Sequence, residues 1–404
     1  MVKSSNSLLV LFAGIIGYFL SYPLSKSWFF FIVFPLISTR LIAYAFKKEI
    51  IDTDRLLVKA VGFKEWQKFA EDTANYRSII GIFEETKQDE SKIPYYLFAY
   101  PIKLTVENRK TYIQKYGEDN SMKIYIDGKY YDKADAKVSV FDHGLLYGDG
   151  VFEGIRIYNG KVFRLKEHID RIYESAKAIL LEIPITKEEM ESAVLDAVNV
   201  NERKEGYIRL VITRGEGSLG LDPASCKKAT VIIIVSDIQL YPKEYYKKGI
   251  TVVTVTSRRI PTECLDPRIK SLNYLNNIMA KLEAKQSGCL EAVMLNTQGF
   301  VAECTADNIF IVKHRKLLTP SAYHGALEGI TRQTVMEIAE KMGIKSEETT
   351  LALYDLYTAD ECFLTGTGAE MVPVVKIDGR VIGNGVPGKI TNMLVEYFRK
   401  YVLA

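Results

Sequence analysis

From Met122 to the C-terminus the chain alternates between short apolar runs and segments with helical spacing, which limits the folds it can adopt. The runs GYIRLVITRG and ATVIIIVSDIQL have the length and the β-branched content of buried strands. Between such runs, Leu165–Leu181 and Gly329–Met342 carry apolar residues at the three- and four-residue spacing of amphipathic helices. This alternation predicts an α/β fold for residues 122–404.

A hairpin and two further helices are also predicted in this part of the chain. Asn159 and Gly160 separate the strand-like segments IRIY and KVFRL, and an Asn-Gly pair in this position is the strongest short hairpin signal. Apolar spacing predicts helices over Leu272–Lys285 and Gly388–Tyr401.

The polar stretch Tyr241–Lys248 separates two groups of strand-like runs. It predicts a linker between a smaller α/β domain, residues 122–240, and a larger domain, residues 247–404. At ~100–200 residues per domain, a chain of this length holds two or three domains.

Two nearly uncharged runs set residues 1–46 apart from the rest of the chain. Leu8–Leu24 carries no charge, and Trp28–Phe46 is interrupted only by Arg40. Both runs approach the ~20 apolar residues of a bilayer span, and together they predict a membrane hairpin. Basic residues outside the two runs predict that both ends face the cytoplasm, where the catalytic part would lie.

Three other interpretations of the first 121 residues stay open. A signal peptide would need small residues before a cleavage site, and Pro23 and Ser25 fit that poorly. The two runs could instead be a buried helical hairpin of a soluble cytoplasmic protein, because both are close to the minimum length of a span. Finally, Met122 could be the true start of the protein.

Residues 47–121 are dense in charges of both signs and contain no catalytic constellation, so they predict a small linking module. The net charge of the whole chain is only +3, with no basic patch that would indicate nucleic-acid binding. The five cysteines form no CxxC pair, which favours reduced thiols and predicts no metal site.

Three separate segments contain residues that could bind a phosphate. Gly366-Thr367-Gly368 could direct backbone amides and a hydroxyl at an anion, although a plain glycine turn has the same pattern. Thr331 lies where a helix begins, and free amides there attract anions, although Thr331 could simply be the N-cap residue. His168 and Arg171 share one helical face, which could equally be a solvated surface.

Two further residues could carry chemistry on a cofactor. Lys270 lies in the segment RIKSLNYL, where apolar neighbours could lower the pKa of the amine, although a lone lysine is usually a surface residue. Glu303 interrupts a largely apolar strand, and a buried carboxylate needs a cationic or hydrogen-bonding partner. That partner could be a protonated pyridine nitrogen or a structural arginine.

Residues 122–404, about 70% of the chain, resemble the fold-type IV pyridoxal-phosphate aminotransferases and are most similar to the branched-chain amino-acid aminotransferases. Seven motifs occur in the family's order, which makes the match specific. They are FDHGLLYGDGVFEGIR, RLKEHIDRI, YIRLVITRGEGSLGLDP, RIKSLNYLNNIMAK, GFVAECTADNIF, EGITRQTV and FLTGTGAEMVPV.

The resemblance implies pyridoxal 5′-phosphate as the cofactor and assigns roles around it. Lys270 would bind the cofactor covalently, Glu303 would pair with its ring nitrogen, and Tyr274 would lie near its phenolic oxygen. The phosphate would be held by Arg171, Ile330, Thr331 and Thr367.

The resemblance also assigns the substrate side of the site. Arg209 would bind the distal carboxylate of glutamate, and the amides of Gly368 and Ala369 would bind the α-carboxylate. This chain has GTG where the family commonly has GTA, so the contact at Gly368 is the least secure of these assignments. The pocket would be lined by Tyr147, Phe152 and Tyr207.

The implied activity is transamination between leucine, isoleucine or valine and 2-oxoglutarate, in a homodimer whose partner contributes to each site. Two other activities occur on the same fold, those of D-amino-acid aminotransferases and of aminodeoxychorismate lyases. A membrane-tethered scaffold without activity is the alternative of another class, and the presence of Lys270 and Glu303 argues against it.

Overall fold

A computed structural model describes residues 122–238 and 240–403. The predicted membrane hairpin, residues 1–46, and the predicted linking module, residues 47–121, lie outside the described residues. Within the described ranges, no helix is long and apolar enough to cross a membrane. The same residues contain no group of three or more His, Cys, Asp or Glu side chains that could hold a metal ion.

The first half of the described chain forms a six-stranded antiparallel sheet. Its strands are β1 (Lys123–Ile126), β2 (Lys129–Asp132), β3 (Gly150–Tyr158), β4 (Lys161–Val162), β5 (Gly206–Thr213) and β6 (Thr230–Ser236). Their order across the sheet is β2-β1-β6-β5-β3-β4. The long strands β3, β5 and β6 are adjacent, so the centre of this sheet includes the two segments predicted as buried strands, β5 and β6.

The Asn-Gly hairpin is confirmed between β3 and β4. Asn159 and Gly160 have φ of 48° and 77°, and two successive positive φ values define the type I′ turn that suits a twisted hairpin. Tyr158 pairs with Lys161 directly across this turn.

Helices pack on one face of the first sheet and bury its core. They are α2 (Leu165–Ala178) and α3 (Lys187–Val200). The short helix α1 (His143–Tyr147) and a 3₁₀ turn at Pro223–Ser225 contribute no residue to this buried cluster. Ile155 of β3 lies in one buried cluster with Ile169 and Ile172 of α2. Because side chains alternate along a strand, the residues of β3 that do not face α2 are directed to the opposite side of the sheet.

The second half of the described chain forms a mixed nine-stranded sheet. Its strands are β7 (Ile250–Thr254), β8 (Glu291–Leu295), β9 (Val301–Cys304), β10 (Asn308–Lys313), β11 (Lys316–Pro320), β12 (Ser346–Thr349), β13 (Glu361–Gly366), β14 (Glu370–Ile377) and β15 (Arg380–Val381). The order is β12-β11-β10-β13-β14-β7-β8-β9, and β15 pairs with β14. Strand β7 is parallel to both of its neighbours, and β11 is parallel to β12.

Helices α4 (Tyr245–Lys248), α5 (Leu275–Gln286), α6 (Ile330–Lys341), α7 (Leu353–Tyr357) and α8 (Lys389–Leu403) and a 3₁₀ turn at Ala322–His324 complete this half. Its core includes Phe310 and Phe363, whose stacked rings have centroids 5.1 Å apart. Phe398 of α8 lies in the same buried cluster.

Two predicted segments differ from the structure. The stretch predicted as a polar linker contains the short helix α4, and its first residue, Tyr241, is buried with its hydroxyl 2.9 Å from Asp307 Oδ2. The helix predicted from Leu272 begins only at Leu275, because residues 270–272 pair with β3 through the bonds from the Phe152 amide to Lys270 and from the Leu272 amide to Gly150.

Candidate active site

Lys270 lies where the second half of the chain meets the edge of β3. The amide of Phe152 donates to the carbonyl of Lys270 over 3.0 Å, and Val151 forms a bridge with Ser271. These backbone bonds hold the lysine beside the first sheet, although the next element, α5, packs on the second one. Lys270 is therefore placed at the junction of the two sheets.

The Lys270 amine lies beside two aromatic rings. Its Nζ is 3.2 Å from the hydroxyl of Tyr274 and 4.6 Å from the ring centre of Phe152. The rings of Phe152 and Tyr274 pack edge to face, with centroids 4.9 Å apart. Lys270 therefore lies against aromatic surface and is only partly exposed.

Arg209 lies on the other side of the same aromatic group. Its guanidinium carbon is 4.6 Å from the ring centre of Phe152 and 5.4 Å from that of Tyr207, which are cation–π distances. Within the described residues Arg209 forms no ion pair. A Cβ at position 154 would clash with the Tyr207 hydroxyl, so glycine at that position lets this tyrosine lie across β3.

Glu303 of β9 is buried, and a structural arginine is its cationic partner. Its Oε1 lies 2.8 Å from Nη2 of Arg259, and its Oε2 accepts from the amide of Leu327 over 2.9 Å and from Asn308 Nδ2 over 3.3 Å. Burial raises the pKa of Glu303 above its usual value. The positive charge of Arg259 and, less strongly, that of Lys270 oppose this shift but do not cancel it. A carboxylate accepts about four hydrogen bonds, so a further donor can still be bound.

Arg171 and the start of helix α6 converge on one point. Arg171 Nη1 donates to the carbonyl of Glu328 over 2.6 Å, directly before the helix. Gly329, and not Thr331, is the N-cap residue, and no side chain caps this end. The alternative of an N-cap at Thr331 is therefore wrong, and the amides of the first turn, those of Ile330 and Thr331, are available for an anion.

A cavity of about 740 Å³ opens beside this helix start. Among its lining residues are Arg171, Ser175, Ile269, Gly329 and Ile330. Ile269 directly precedes Lys270, and the backbone amide of Lys270 donates to the hydroxyl of Ser175 over 3.2 Å. The cavity therefore borders the helix start, but its lining also holds seven acidic residues and includes neither Lys270 nor Glu303, so it is distinct from the group around the lysine.

The helical face of His168 and Arg171 is not a solvated surface. His168 is buried, and its Nδ1 is 2.7 Å from Oε2 of Glu153. Arg171 contacts the same carboxylate through Nε at 2.6 Å and Nη2 at 2.9 Å. Burial opposes the ionisation of Glu153, but the charges and hydrogen bonds of Arg171 and His168 outweigh it and lower the pKa of this carboxyl well below its usual value.

Thr367, Gly368 and Ala369 form the turn between β13 and β14, closed by the pairing of Gly366 with Glu370. A Cβ at position 368 would come within 2.8 Å of the Leu240 side chain. A flexible neighbour therefore occupies the space that the methyl group of the family's commoner alanine would need.

Tyr147 is not brought to the Lys270 group. Its hydroxyl donates to the carbonyl of Leu219, and its ring packs against His143 with centroids 5.0 Å apart. Within the described residues it shares no hydrogen bond or ring contact with Phe152, Lys270 or Tyr274. The predicted role of Tyr147 in lining the pocket of its own chain has no support from these contacts.

Two important residues, Glu153 and Arg259, were missed in the sequence. Glu153 is an acid within the otherwise apolar strand segment GVFEGI, which is the same signal that drew attention to Glu303. Arg259 had no such signal, because arginine next to a loop is ordinary and its pairing with Glu303 depends on chain segments 44 residues apart.

Comparisons with known proteins point to one family. A family model described as amino-transferase class IV matches residues 150–377. A Methanocaldococcus jannaschii protein, whose name places it among the branched-chain-amino-acid aminotransferases, is 55% identical over 69% of this chain and 96% of its own length. A D-alanine aminotransferase of Bacillus licheniformis is 34% identical over 70% of this chain and 98% of its own.

Among solved structures, the T.th. branched-chain amino acid aminotransferase superposes with a TM-score of 0.66 at 36% identity. The match covers 70% of this chain and 94% of that structure. That protein is complexed with N-(5′-phosphopyridoxyl)-L-glutamate, a molecule that combines the cofactor and an amino acid.

Proposed function

Because this chain belongs to the class IV aminotransferases, we propose that it transfers the amino group of branched-chain L-amino acids to 2-oxoglutarate. One observation carries the proposal. The aromatic group beside Lys270 Nζ also holds Arg209, a guanidinium without a carboxylate partner among the described residues. Such a site offers apolar surface to a branched side chain and a positive charge to glutamate.

The cofactor is pyridoxal 5′-phosphate, as in the class IV aminotransferases, and the residues present fit it. Lys270 supplies an amine beside two aromatic rings. A helix start without a side-chain cap, next to the guanidinium of Arg171, fits a phosphate. Glu303 is a buried carboxylate that can accept another donor, as a protonated ring nitrogen requires.

When bound, the cofactor supplies an electron sink for the bond that breaks at the substrate Cα. Lys270 Nζ removes the Cα proton and serves as both base and acid, with the Tyr274 hydroxyl 3.2 Å away to orient it. Glu303 holds a proton on the ring nitrogen, and Arg259 and Leu327 keep its carboxylate in place. Arg171 and the amides of Ile330 and Thr331 bind the phosphate, together with Thr367.

The proposed substrate-binding residues lie at the end of the aromatic group that carries Arg209. Phe152 and Tyr207 present apolar surface, and one methylene in such a pocket changes binding by only ~1–3 kcal/mol. We therefore propose that leucine, isoleucine and valine all react. Arg209 binds the distal carboxylate of glutamate, and the amides of Gly368 and Ala369 bind the α-carboxylate.

Replacement of Arg209 with alanine tests the substrate side. We expect kcat/KM for glutamate and 2-oxoglutarate to fall about 30-fold or more, because a partly desolvated carboxylate loses its charge partner. The value for leucine should fall by less than about fivefold, since a neutral side chain needs no such partner. Steady-state kinetics with both substrate types measures the difference.

Arg380→Ala is the matched control for that variant. It removes another arginine–aromatic contact, 4.1 Å from the ring centre of Tyr357 and outside the site. Equal losses for glutamate and leucine in Arg209→Ala would mean that Arg209 supports the fold and has no role in recognising glutamate.

The activity itself is tested by the consumption of amino acceptors. Purified protein should form glutamate from 2-oxoglutarate with L-leucine as the amino donor. Formation of glutamate with D-alanine alone would instead favour the D-alanine aminotransferases, to which this chain is also similar. Release of pyruvate from aminodeoxychorismate without an acceptor would indicate the lyase, and no reaction at all would leave a scaffold.

We further propose that the protein is a homodimer. The helix α5, directly after Lys270, exposes Leu275, Ile278, Met279 and Leu282, and such a contiguous apolar face is typical of an interface. Tyr147 and its neighbours Leu145 and Leu146 are also exposed. A second copy covering them would let Tyr147 reach the partner's pocket, and a monomer in analytical ultracentrifugation would contradict this proposal.

Attachment to a membrane stays a proposal from the sequence, based on the two apolar runs in residues 1–46. Two spans bury more apolar surface than a reversible contact, so the full chain should resist carbonate extraction from membranes. Its release by carbonate would favour a soluble cytoplasmic protein.

A further inference from the structure

Glu153 lies on the face of β3 that packs against α2, opposite to the substrate side of the strand. Its strand neighbours on that face, Val151 and Ile155, belong to the buried apolar core. Phe152, between Val151 and Glu153, contacts Lys270 and Arg209 on the other side. The carboxylate of Glu153 is fully buried and cannot touch a substrate.

The contacts of Glu153 account for both of its oxygens. Arg171 approaches side-on, with Nε on Oε1 at 2.6 Å and Nη2 on Oε2 at 2.9 Å. Oε2 also accepts from His168 Nδ1 at 2.7 Å and from the amide of Gly154 at 3.2 Å. A side-on pair of this kind fixes the plane of the guanidinium as well as its position.

This pairing determines which edge of Arg171 is free. Nε and one N–H of Nη2 are used by Glu153, and Nη1 donates to the carbonyl of Glu328 at 2.6 Å. The guanidinium has five N–H groups in a rigid fork, so its remaining N–H groups are directed away from Glu153. They therefore lie next to Glu328 and the first residues of α6.

An ionised carboxylate within this apolar core is costly unless it is paired. Burial opposes its ionisation, but Arg171 and His168 outweigh burial and lower the pKa of Glu153, so it carries a full negative charge at neutral pH. Arg171 must therefore stay in contact with this carboxylate to keep its burial favourable, and that contact holds the guanidinium at the start of α6.

We propose that Glu153 is a positioning residue that fixes Arg171 at the start of helix α6 and thereby sets the preference for a phosphorylated over a non-phosphorylated cofactor. The inference rests on the proposed function, because it takes pyridoxal 5′-phosphate as the ligand of that point. It assigns a role to a side chain that contacts neither the cofactor nor the substrate.

The alternative is that Glu153 only joins α2 to β3. Both roles would lower the stability of a variant, so a loss of stability or of activity does not separate them. They differ in one measurable respect. A positioning role affects binding of the phosphate group alone, whereas a structural role would weaken the binding of pyridoxal 5′-phosphate and pyridoxal equally.

The test uses Glu153→Gln, which keeps the size of the side chain but removes its charge and one acceptor. Apoprotein of the full chain is titrated with pyridoxal 5′-phosphate and, separately, with pyridoxal, by the absorbance change on binding. We expect the ratio of the two dissociation constants to shift about tenfold or more against the phosphorylated form, as for the loss of one charge-assisted hydrogen bond. Pyridoxal binding should change by less than about twofold.

Glu291→Gln is the matched control. Glu291 is another buried carboxylate, which accepts from the amides of Ala292 and Thr305 and from Lys281. Its replacement should lower stability without changing the ratio. A second variant, Glu153→Asp, keeps the charge and should shift the ratio by less than Glu153→Gln, and it replaces that variant if Glu153→Gln does not fold.

Three outcomes decide the inference. An unchanged ratio in both Glu153 variants, or equal weakening of both ligands, would overturn the positioning role while leaving the proposed function intact. If Arg171→Gln and the double variant Glu153→Gln/Arg171→Gln have the same ratio, Glu153 acts through Arg171 as proposed. If the unaltered protein does not bind pyridoxal 5′-phosphate more tightly than pyridoxal, the proposed cofactor site itself fails.

Discussion

Replacement of Lys270 with alanine is expected to reduce transamination by at least about four orders of magnitude. The amine packs beside the rings of Phe152 and Tyr274, and in the described residues no other lysine lies over either ring. Alanine can neither bind the cofactor covalently nor transfer the Cα proton. The backbone bond from the Phe152 amide to the carbonyl of residue 270 is retained, so the fold should be intact.

Borohydride reduction followed by peptide mapping measures the attachment site directly. The unaltered protein should be yellow, and reduction should link the cofactor to Lys270. Lys285→Ala, an exposed lysine on α5, is the control and should react like the unaltered protein. A reduced adduct on any lysine other than 270 would show that the assignment is wrong.

Glu303→Gln should lower turnover by about two or more orders of magnitude. A neutral amide cannot hold the positive charge of a protonated ring nitrogen, so the electron sink at the substrate Cα is weakened. The amide NH₂ group would also face a donor in either orientation, the guanidinium of Arg259 or the amide of Leu327.

Single-turnover kinetics and a melting curve separate these two effects. The rate should fall by more than the fraction of unfolded variant can account for, and the variant should still bind the cofactor. Glu291→Gln removes a buried carboxylate from the adjacent strand β8 and should keep near-normal turnover. A near-normal rate in Glu303→Gln would mean that this carboxylate is a structural partner of Arg259.

Local patterns were enough to predict much of the fold. The strands β5 and β6, the hairpin at Asn159 and Gly160, and helices α2, α6 and α8 follow from hydrophobic periodicity and turn chemistry, which act over a few residues. Helix ends were less predictable, as at Leu272, because backbone bonds between Phe152 and Lys270 and between Leu272 and Gly150 pair this segment with β3 before α5 begins.

The candidate site was identified from the sequence only as a set of residues in seven motifs. Lys270, Phe152, Tyr274 and Arg209 meet around shared aromatic rings, but Tyr147 lies apart from them and bonds to Leu219. The motif that contains Tyr147 also contains Phe152, so closeness in sequence did not predict closeness in space. The end of α1 at Tyr147 and the start of β3 at Gly150 separate the two side chains.

The sequence alone determined the fold class, the family and the residues that can carry chemistry. Hydrophobic periodicity and each motif depend on residues that are neighbours in the sequence, and the order of the motifs can be read directly from the chain. Tertiary structure alone decided which oppositely charged groups form ion pairs. Glu153 and Arg171 come from a strand and a helix, and Arg259 reaches Glu303 from a separate segment. Ionised groups are stable in an apolar interior only when register and packing bring their partners into contact, and no local pattern encodes that distance.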